Sequence, residues 1–155
     1  MQRGGQIAVG GSALIALALS AAQFIEPFEG RARQTYVDSA GYATACVGNR
    51  AAALPGATFT DEECDALLLA DTLTALVIVR KLVKVPIDES QTVSLVSFVF
   101  NVGTGAFAKS TLLRRLNAGD YEGAAAELAK WRFAGGRELN GLVVRRAREA
   151  RLFLS

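Results

Sequence analysis

Three side chains stand at a spacing that suits hydrolysis by paired carboxylates. Glu29 lies in Phe28-Glu29-Gly30, Asp38 in Tyr36-Val37-Asp38, and Thr44 in Gly41-Tyr42-Ala43-Thr44. Local patterning puts Glu29 at the end of a helix, Asp38 in a strand or turn and Thr44 in the following strand. A hairpin beside a helix end can aim all three into one cleft. Cleaving a glycosidic bond needs such a pair: one carboxyl protonated to donate to the leaving oxygen, the other ionised to activate water or attack carbon. Taken singly, the three read as a helix-end acid, a turn residue and a strand residue. Their combination points to catalysis.

The rest of the composition narrows the chemistry. Histidine is absent, which removes Ser-His-Asp and Cys-His catalysis and the histidine-bearing zinc signatures. Acid and base chemistry falls to carboxylates, lysine or tyrosine. No metal site and no cofactor is implied. The stretch Gly103-Thr104-Gly105 lacks the flanking strand and third glycine of a nucleotide loop and reads as a turn. Cys46 and Cys64 are the two cysteines. In an oxidising compartment they can close a loop of roughly 18 residues, worth about 3 kcal/mol in the chain-entropy picture; in a reducing one they are two small buried hydrophobes.

Positioning the three residues requires a fold, and 155 residues suit one domain. Between Arg33 and Phe59, alternating Thr, Tyr and Val with Gly41, Gly48, Pro55 and Gly56 as turn points predict a small antiparallel β-region. Helices follow. Thr60-Asp61-Glu62-Glu63 is a capping box opening a helix to about Val83. Asp88-Glu89-Ser90-Gln91 opens the next, to about Val102, and Ser110 to Asn117 makes a short one before Gly119. Asp120 is expected to cap a helix through Phe133, closed by Gly135-Gly136, and Asn140 to cap the last, to Phe153. The fold class is α+β: an N-terminal helix, a small antiparallel β-lobe and a mostly helical body.

The N-terminal segment is of another kind. Gly4 to Ile25 is 22 residues without a charge, about 33 Å as a helix and enough to span a bilayer core. Only eight of them are strongly apolar; the rest are Ala, Gly, Ser and Gln, including Gly10-Gly11. Insertion is therefore marginal. Arg3 before the segment and Glu26 and Glu29 after it place the N-terminus in the cytoplasm and the domain outside. Two other readings stay open: a signal peptide cleaved after Ser20-Ala21-Ala22, and an Ala-rich core helix weakened by its glycines. Pro27 is expected to weaken helix continuity just beyond the segment.

Net charge is +2, but Lys130 to Ser155 carries seven Lys/Arg against Glu138 and Glu149. Such a stretch forms a basic face for an anionic polymer or surface, or an ordinary solvated helix face.

The spacing Glu29-x8-Asp38-x5-Thr44, with Gly48-Asn49, resembles the catalytic signature of the phage lysozyme family, the T-even phage type of glycoside hydrolase. Phe100-Asn101-Val102-Gly103-Thr104-Gly105-Ala106-Phe107, Ser110-Thr111-Leu112-Leu113, Leu116-Asn117-Ala118-Gly119-Asp120, Trp131 and Gly141-Leu142-Val143-Val144-Arg145-Arg146 also look like the phage endolysins. The resemblance covers residue 24 to the C-terminus. Residues 1–25 look like the signal-arrest-release segment of an endolysin subset, which is exported uncleaved and holds the enzyme inactive in the inner membrane until depolarisation frees it. On that basis residues 1–25 form the membrane segment and N-terminal helix, and 26–155 the muramidase domain.

The resemblance implies that Glu29 is the general acid at the bond between N-acetylmuramic acid and N-acetylglucosamine. A partly apolar setting favours the protonated form that this role requires. Asp38 stays ionised and, with the Thr44 hydroxyl, positions the attacking water. The family inverts at the anomeric carbon, which implies carboxyls roughly 6.5–9.5 Å apart. Phe100 and Asn101 are the substrate-binding candidates, with core packing and helix-end capping as their alternatives. Arg145 or Arg146 is the basic partner that modulates Glu29, and Cys46–Cys64 a periplasmic bridge. Expected partners are peptidoglycan and, before release, the inner membrane, with no nucleic acid and a monomeric chain. Asn49 stands where the family usually has histidine, a position that supports the lobe, so activity should survive. Residues 1–25 contain no cysteine, which argues against unlocking by thiol exchange through the segment. The alternatives are a muramidase secreted by a cleaved signal peptide and an inactive, membrane-tethered peptidoglycan-binding module.

Overall fold

The computed structural model describes residues 10–38, 41–50 and 52–155. The first part of the expected membrane segment, residues 4–9, lies outside the described residues.

Helix α1 (Gly11–Glu29) begins after Gly10 and buries Ala18, Ala21, Ala22 and Ile25. These recur at helical spacing, and the face they form packs against α2 (Asp61–Leu82) and α3 (Glu89–Val102). Alanines let the backbones approach closely, so the residues that make the segment a poor membrane anchor are those that seat it on the body. Ile15 and Leu19 on the other side stay exposed. The helix runs through Pro27 to Glu29, contrary to the expected weakening there. Proline removes one backbone donor near the helix end, while the ladder continues from Gly30 N to Glu26 O at 3.0 Å. The junction between the apolar segment and the remaining chain thus lies inside a continuous helix.

Strands β1 (Ala32–Val37) and β2 (Ala43–Cys46) pair antiparallel, with Tyr36 opposite Thr44. Single bridges from Gln34 to Thr58 and from Ala45 to Asn49 extend the lobe. Cys46 and Cys64 form a disulfide that fastens β2 to the first turn of α2. Arg31 ties the exit of α1 to the same turn, with Nε 2.7 Å from Glu26 Oε1 and Nη1 3.1 Å from the Asp61 carbonyl.

The expected capping box of Thr60 with Glu63 opens α2, and Asp88 opens α3 as expected, forming a second box with Gln91. The expected turn at Gly103-Thr104-Gly105 is instead the start of a short helix, α4 (Thr104–Ala108), because Gly103 at φ 86° breaks α3 and the chain resumes helical conformation at once. Helix α5 (Thr111–Asn117) is capped by Ser110. Helix α6 (Tyr121–Leu128) ends well short of Phe133. Phe133–Ala134 (β3) and Arg137–Glu138 (β4) form a hairpin instead. Gly135 and Gly136 both have positive φ, 57° and 76°, as a tight two-residue hairpin turn requires. Helix α7 (Asn140–Phe153) has Leu139 at its N-cap, so Asn140 is its first residue and not its cap.

The core is one cluster to which all seven described helices contribute, with Ile25, Leu76, Phe98, Phe107, Leu116, Leu128 and Phe153 among its residues. Trp131 packs against it with an edge-on contact to Phe98, 5.2 Å between centroids. The basic face expected over Lys130 to Ser155 is only partly present, since Arg145 and Arg146 are buried. Lys130 pairs with Glu127 and Arg132 with Glu138.

Candidate active site

Glu29 is the last residue of α1, and its side chain reaches across to α7. Arg145 Nη1 lies 2.5 Å from Glu29 Oε1. The Arg145 side chain is 3% exposed and that of Glu29 21%, so the arginine is a fixed part of the body and the carboxylate faces partly outward. Arg145 is held from behind: Nε donates to Glu149 Oε1 at 3.1 Å and Nη2 to the Ser97 carbonyl at 3.0 Å. The Phe28 ring lies 5.1 Å from its guanidinium carbon. The adjacent Arg146 turns away, donating through Nη2 to Asn101 Oδ1 and packing over the Phe98 ring.

Glu149 is the buried counter-charge to both arginines. Its Oε1 accepts from Ser97 Oγ at 2.7 Å, and its Oε2 lies 2.9 Å from Arg146 Nη1, off the line of a hydrogen bond. Burial pushes the Glu149 carboxyl above its ordinary range, against the downward pull of Arg146, Ser97 and Arg145. Burial likewise pushes the Arg146 guanidinium down to about 10, against the support of Glu149. Charges withdrawn from water are disfavoured unless fully compensated, and here the two cations share Glu149, with Glu29 as a second carboxylate on Arg145.

The second half of the site stands on the β-lobe. Asp38 follows β1 and Thr44 lies in β2. Thr44 is buried, with its Oγ1 3.1 Å from Asp38 Oδ2 and also 3.1 Å from the Tyr42 carbonyl. Its single proton serves one of these acceptors at a time. The Tyr42 backbone N–H donates to Asp38 Oδ1 at 2.9 Å. Arg50 donates to Asp38 Oδ2 twice, from Nη2 at 2.7 Å and Nε at 3.1 Å. One carboxylate oxygen is thus held by backbone and the other by an arginine and a threonine.

Gly48 lies between the halves. It has φ +71°, and a Cβ there would sit 3.4 Å from Glu29 Oε2. Any side chain would be strained in that conformation, and its Cβ would lie in contact with the carboxylate. Next to it the buried Asn49 donates through Nδ2 to Asp71 Oδ2 at 2.7 Å and accepts from the Ala52 N–H at 2.8 Å. It holds the loop after β2 onto α2. Where the family pattern has histidine, an amide makes the lobe contact without a titrating group. A cleft of about 230 Å³ opens beside it, lined by Gly48 of the lobe, Asp71 and Thr74 of α2, and Phe100, Gly103 and Thr104; Glu29, Asp38 and Thr44 are not among its lining residues.

The structure therefore brings Asp38 and Thr44 into contact, sets Glu29 against Arg145, and puts Phe100 in the cleft wall. Asn101 is engaged by Arg146. Sequence reasoning missed Arg50, Ser97, Asp71 and Glu149, whose roles depend on contacts between separate elements. A hint existed for Glu149: a lone acid four residues after Arg145, where a helical ion pair can form.

An N-terminal helix whose end presents a carboxylate, a β-lobe carrying an Asp–Thr pair, and a helical body closing the cleft define a lysozyme-type glycoside hydrolase. The phage lysozyme family model matches residues 26–149, and the chain belongs to that family. It is 43% identical over 119 residues to the SAR-endolysin of Bacteriophage PS119, covering 76% of this chain and 71% of that one. Among solved structures, the muramidase domain of SpmX from Asticaccaulis excentricus superposes with a TM-score of 0.82 at 36% identity, over 88% of this chain and 95% of that one. A lysozyme of phage P22 gives 0.78 at 35% identity, over 88% and 96%.

Proposed function

We propose that this chain is an endolysin that hydrolyses the bond between N-acetylmuramic acid and N-acetylglucosamine in peptidoglycan, and that its N-terminal segment holds it inactive in the inner membrane until release. The observation that carries the catalytic reading is the Asp38–Thr44 contact on the lobe, in a fold whose first helix ends at Glu29. Glu29 protonates the leaving oxygen. Asp38, ionised and held among the described residues by Tyr42, Arg50 and Thr44, positions the attacking water together with the Thr44 hydroxyl. Water arriving on the face opposite the leaving group inverts the anomeric carbon. Phe100 offers an apolar surface for a sugar ring in the cleft.

The regulatory reading rests on α1. By length and composition this helix can cross a membrane, and its membrane-competent residues include the alanines that pack on α2 and α3. One segment cannot occupy both environments. While it spans the bilayer, Ala18, Ala21 and Ala22 are withdrawn from the body, and Glu29 is pinned within a few residues of the lipid surface. Release lets the alanine face dock, which carries Glu29 to Arg145. A chain cleaved before Gln23 loses three of the four buried positions of α1, which favours an uncleaved segment over a signal peptide.

Intact mass of membrane and periplasmic fractions, with peptidoglycan clearing measured on each, tests this. The expected result is a full-length chain that is inert in the membrane and lytic once soluble. An active chain beginning at Gln23 would replace arrest and release with ordinary secretion.

A further inference from the structure

Arg50 is the residue of the lobe that neither the catalytic signature nor the family resemblance accounts for. Its guanidinium makes two hydrogen bonds to a single oxygen, Asp38 Oδ2, at 2.7 and 3.1 Å. That oxygen also faces the Thr44 hydroxyl. The guanidinium lies over the Tyr42 ring, 4.3 Å from its centroid, and the backbone of the same Tyr42 holds Asp38 Oδ1. Asp38, Tyr42 and Arg50 thus contact one another pairwise.

The root of Arg50 is also fixed. Its neighbour Asn49 is bound to Ala45 through both backbone groups, to Asp71 through Nδ2 and to the Ala52 N–H through Oδ1. An arginine whose backbone is held before and after it, and whose plane rests on an aromatic ring, reaches the carboxylate with little freedom to lose. Its side chain is nonetheless 54% exposed, against 17% for Asp38. Ion pairs this exposed contribute little to folding, so fold stability does not account for the arrangement.

We propose that Arg50 is a positioning residue for hydrolysis: it fixes the plane of the Asp38 carboxylate, so that Oδ2 and Thr44 Oγ1 hold water in one orientation. This rests on the role assigned to Asp38. The inference adds a charged group to the water-holding pair and assigns it an effect on turnover and not on substrate affinity.

The test uses the full-length chain in its released, soluble form and uncrosslinked soluble peptidoglycan strands as substrate. Arg50→Gln is expected to lower kcat by about 10- to 100-fold, the scale of a small misplacement of a reacting group. KM should stay within about twofold and the melting temperature should be nearly unchanged. Arg50→Lys restores a cation without the two-pronged contact and should recover part of kcat. Asp38→Asn is measured beside them. If Asp38→Asn is inactive while Arg50→Gln turns over normally, the positioning role is overturned and the catalytic reading stands. A change in KM alone would make Arg50 a substrate contact and overturn the proposal in the same way. If Asp38→Asn is fully active, the catalytic reading itself fails.

Discussion

Glu29 Oε1 and Arg145 Nη1 stand 2.5 Å apart across the interface between the end of α1 and the face of α7, 116 residues away in the chain. The arginine is buried and already committed to Glu149 and Ser97. Without Glu29, the buried group of Arg145, Arg146 and Glu149 carries two positive charges against one negative. Docking α1 brings the Glu29 carboxyl to the buried Arg145, so the residue proposed as the acid is also a partner of the body's buried arginine.

Replacing Glu29 by Gln keeps the shape and removes the acid. We expect peptidoglycan clearing to fall by about 10³-fold, within the range for losing a positioned proton donor, with the circular dichroism spectrum unchanged. Clearing at the wild-type rate would return Glu29 to the status of a structural ion-pair partner.

Arg145→Met should act on folding as well as on activity. It removes one charged donor from the buried Glu149, which keeps Arg146 and Ser97 as partners, and losing such a hydrogen bond costs about 1.5–3 kcal/mol. For a chain of this size that lowers the melting temperature by roughly 5–10 °C. Calorimetry of the soluble form checks it.

The raised Glu149 carboxyl has a pH consequence. The folded state holds that proton more tightly than the unfolded chain, so the contribution of this group is complete below the ordinary value of 4.5 and declines as the pH rises through the raised one. Glu149→Gln does not titrate. Urea unfolding at several pH values should show wild-type stability falling relative to the variant as the pH climbs from acid to neutral. The opposite slope would mean that the arginines outweigh burial.

Asn49→Asp places a second carboxylate where Asn49 Nδ2 now stands, 2.7 Å from Asp71 Oδ2. Two carboxylates sharing one site cannot both ionise cheaply, so the pair retains a proton to higher pH in the fold than in the unfolded chain. The penalty is therefore small in acid and grows as the pH rises. A melting temperature that drops from pH 4 to pH 7, beyond any drop in the wild type, is the expected signature.

Ala21→Leu addresses release. Ala21 is fully buried against the body, where added methylenes cost about 1–3 kcal/mol. In a bilayer the same leucine is favoured by some tenths of a kcal/mol. Both effects oppose leaving the membrane and docking, so lysis should begin later and less protein should reach the periplasm. An unchanged onset would separate docking from release.

Much of the fold is written locally. The boxes at Thr60 and Asp88 are recognisable because a cap satisfies donors within three residues of itself, and both form. The helix expected from Asp120 through Phe133 went astray at its end. Trp131 and Phe133 extend an apolar pattern, yet Trp131 folds onto Phe98 and paired glycines at positive φ turn the chain into a hairpin. Two glycines in a row suit a helix stop and a two-residue hairpin turn alike, and their positive φ here makes the turn.

The sequence by itself determined the spacing of Glu29, Asp38 and Thr44, the hairpin that brings the latter two together, and the Ala-rich character of the first segment. Each depends on residues near one another in the chain. Only the tertiary structure decided that Arg145 and not Arg146 meets Glu29. Neighbours on a helix point about 100° apart, and which one faces α1 is set by how α7 packs on α3. The same holds for Arg50 on Asp38 and Asn49 on Asp71. An arginine or an amide has many partners within reach of its side chain, and only folding selects one.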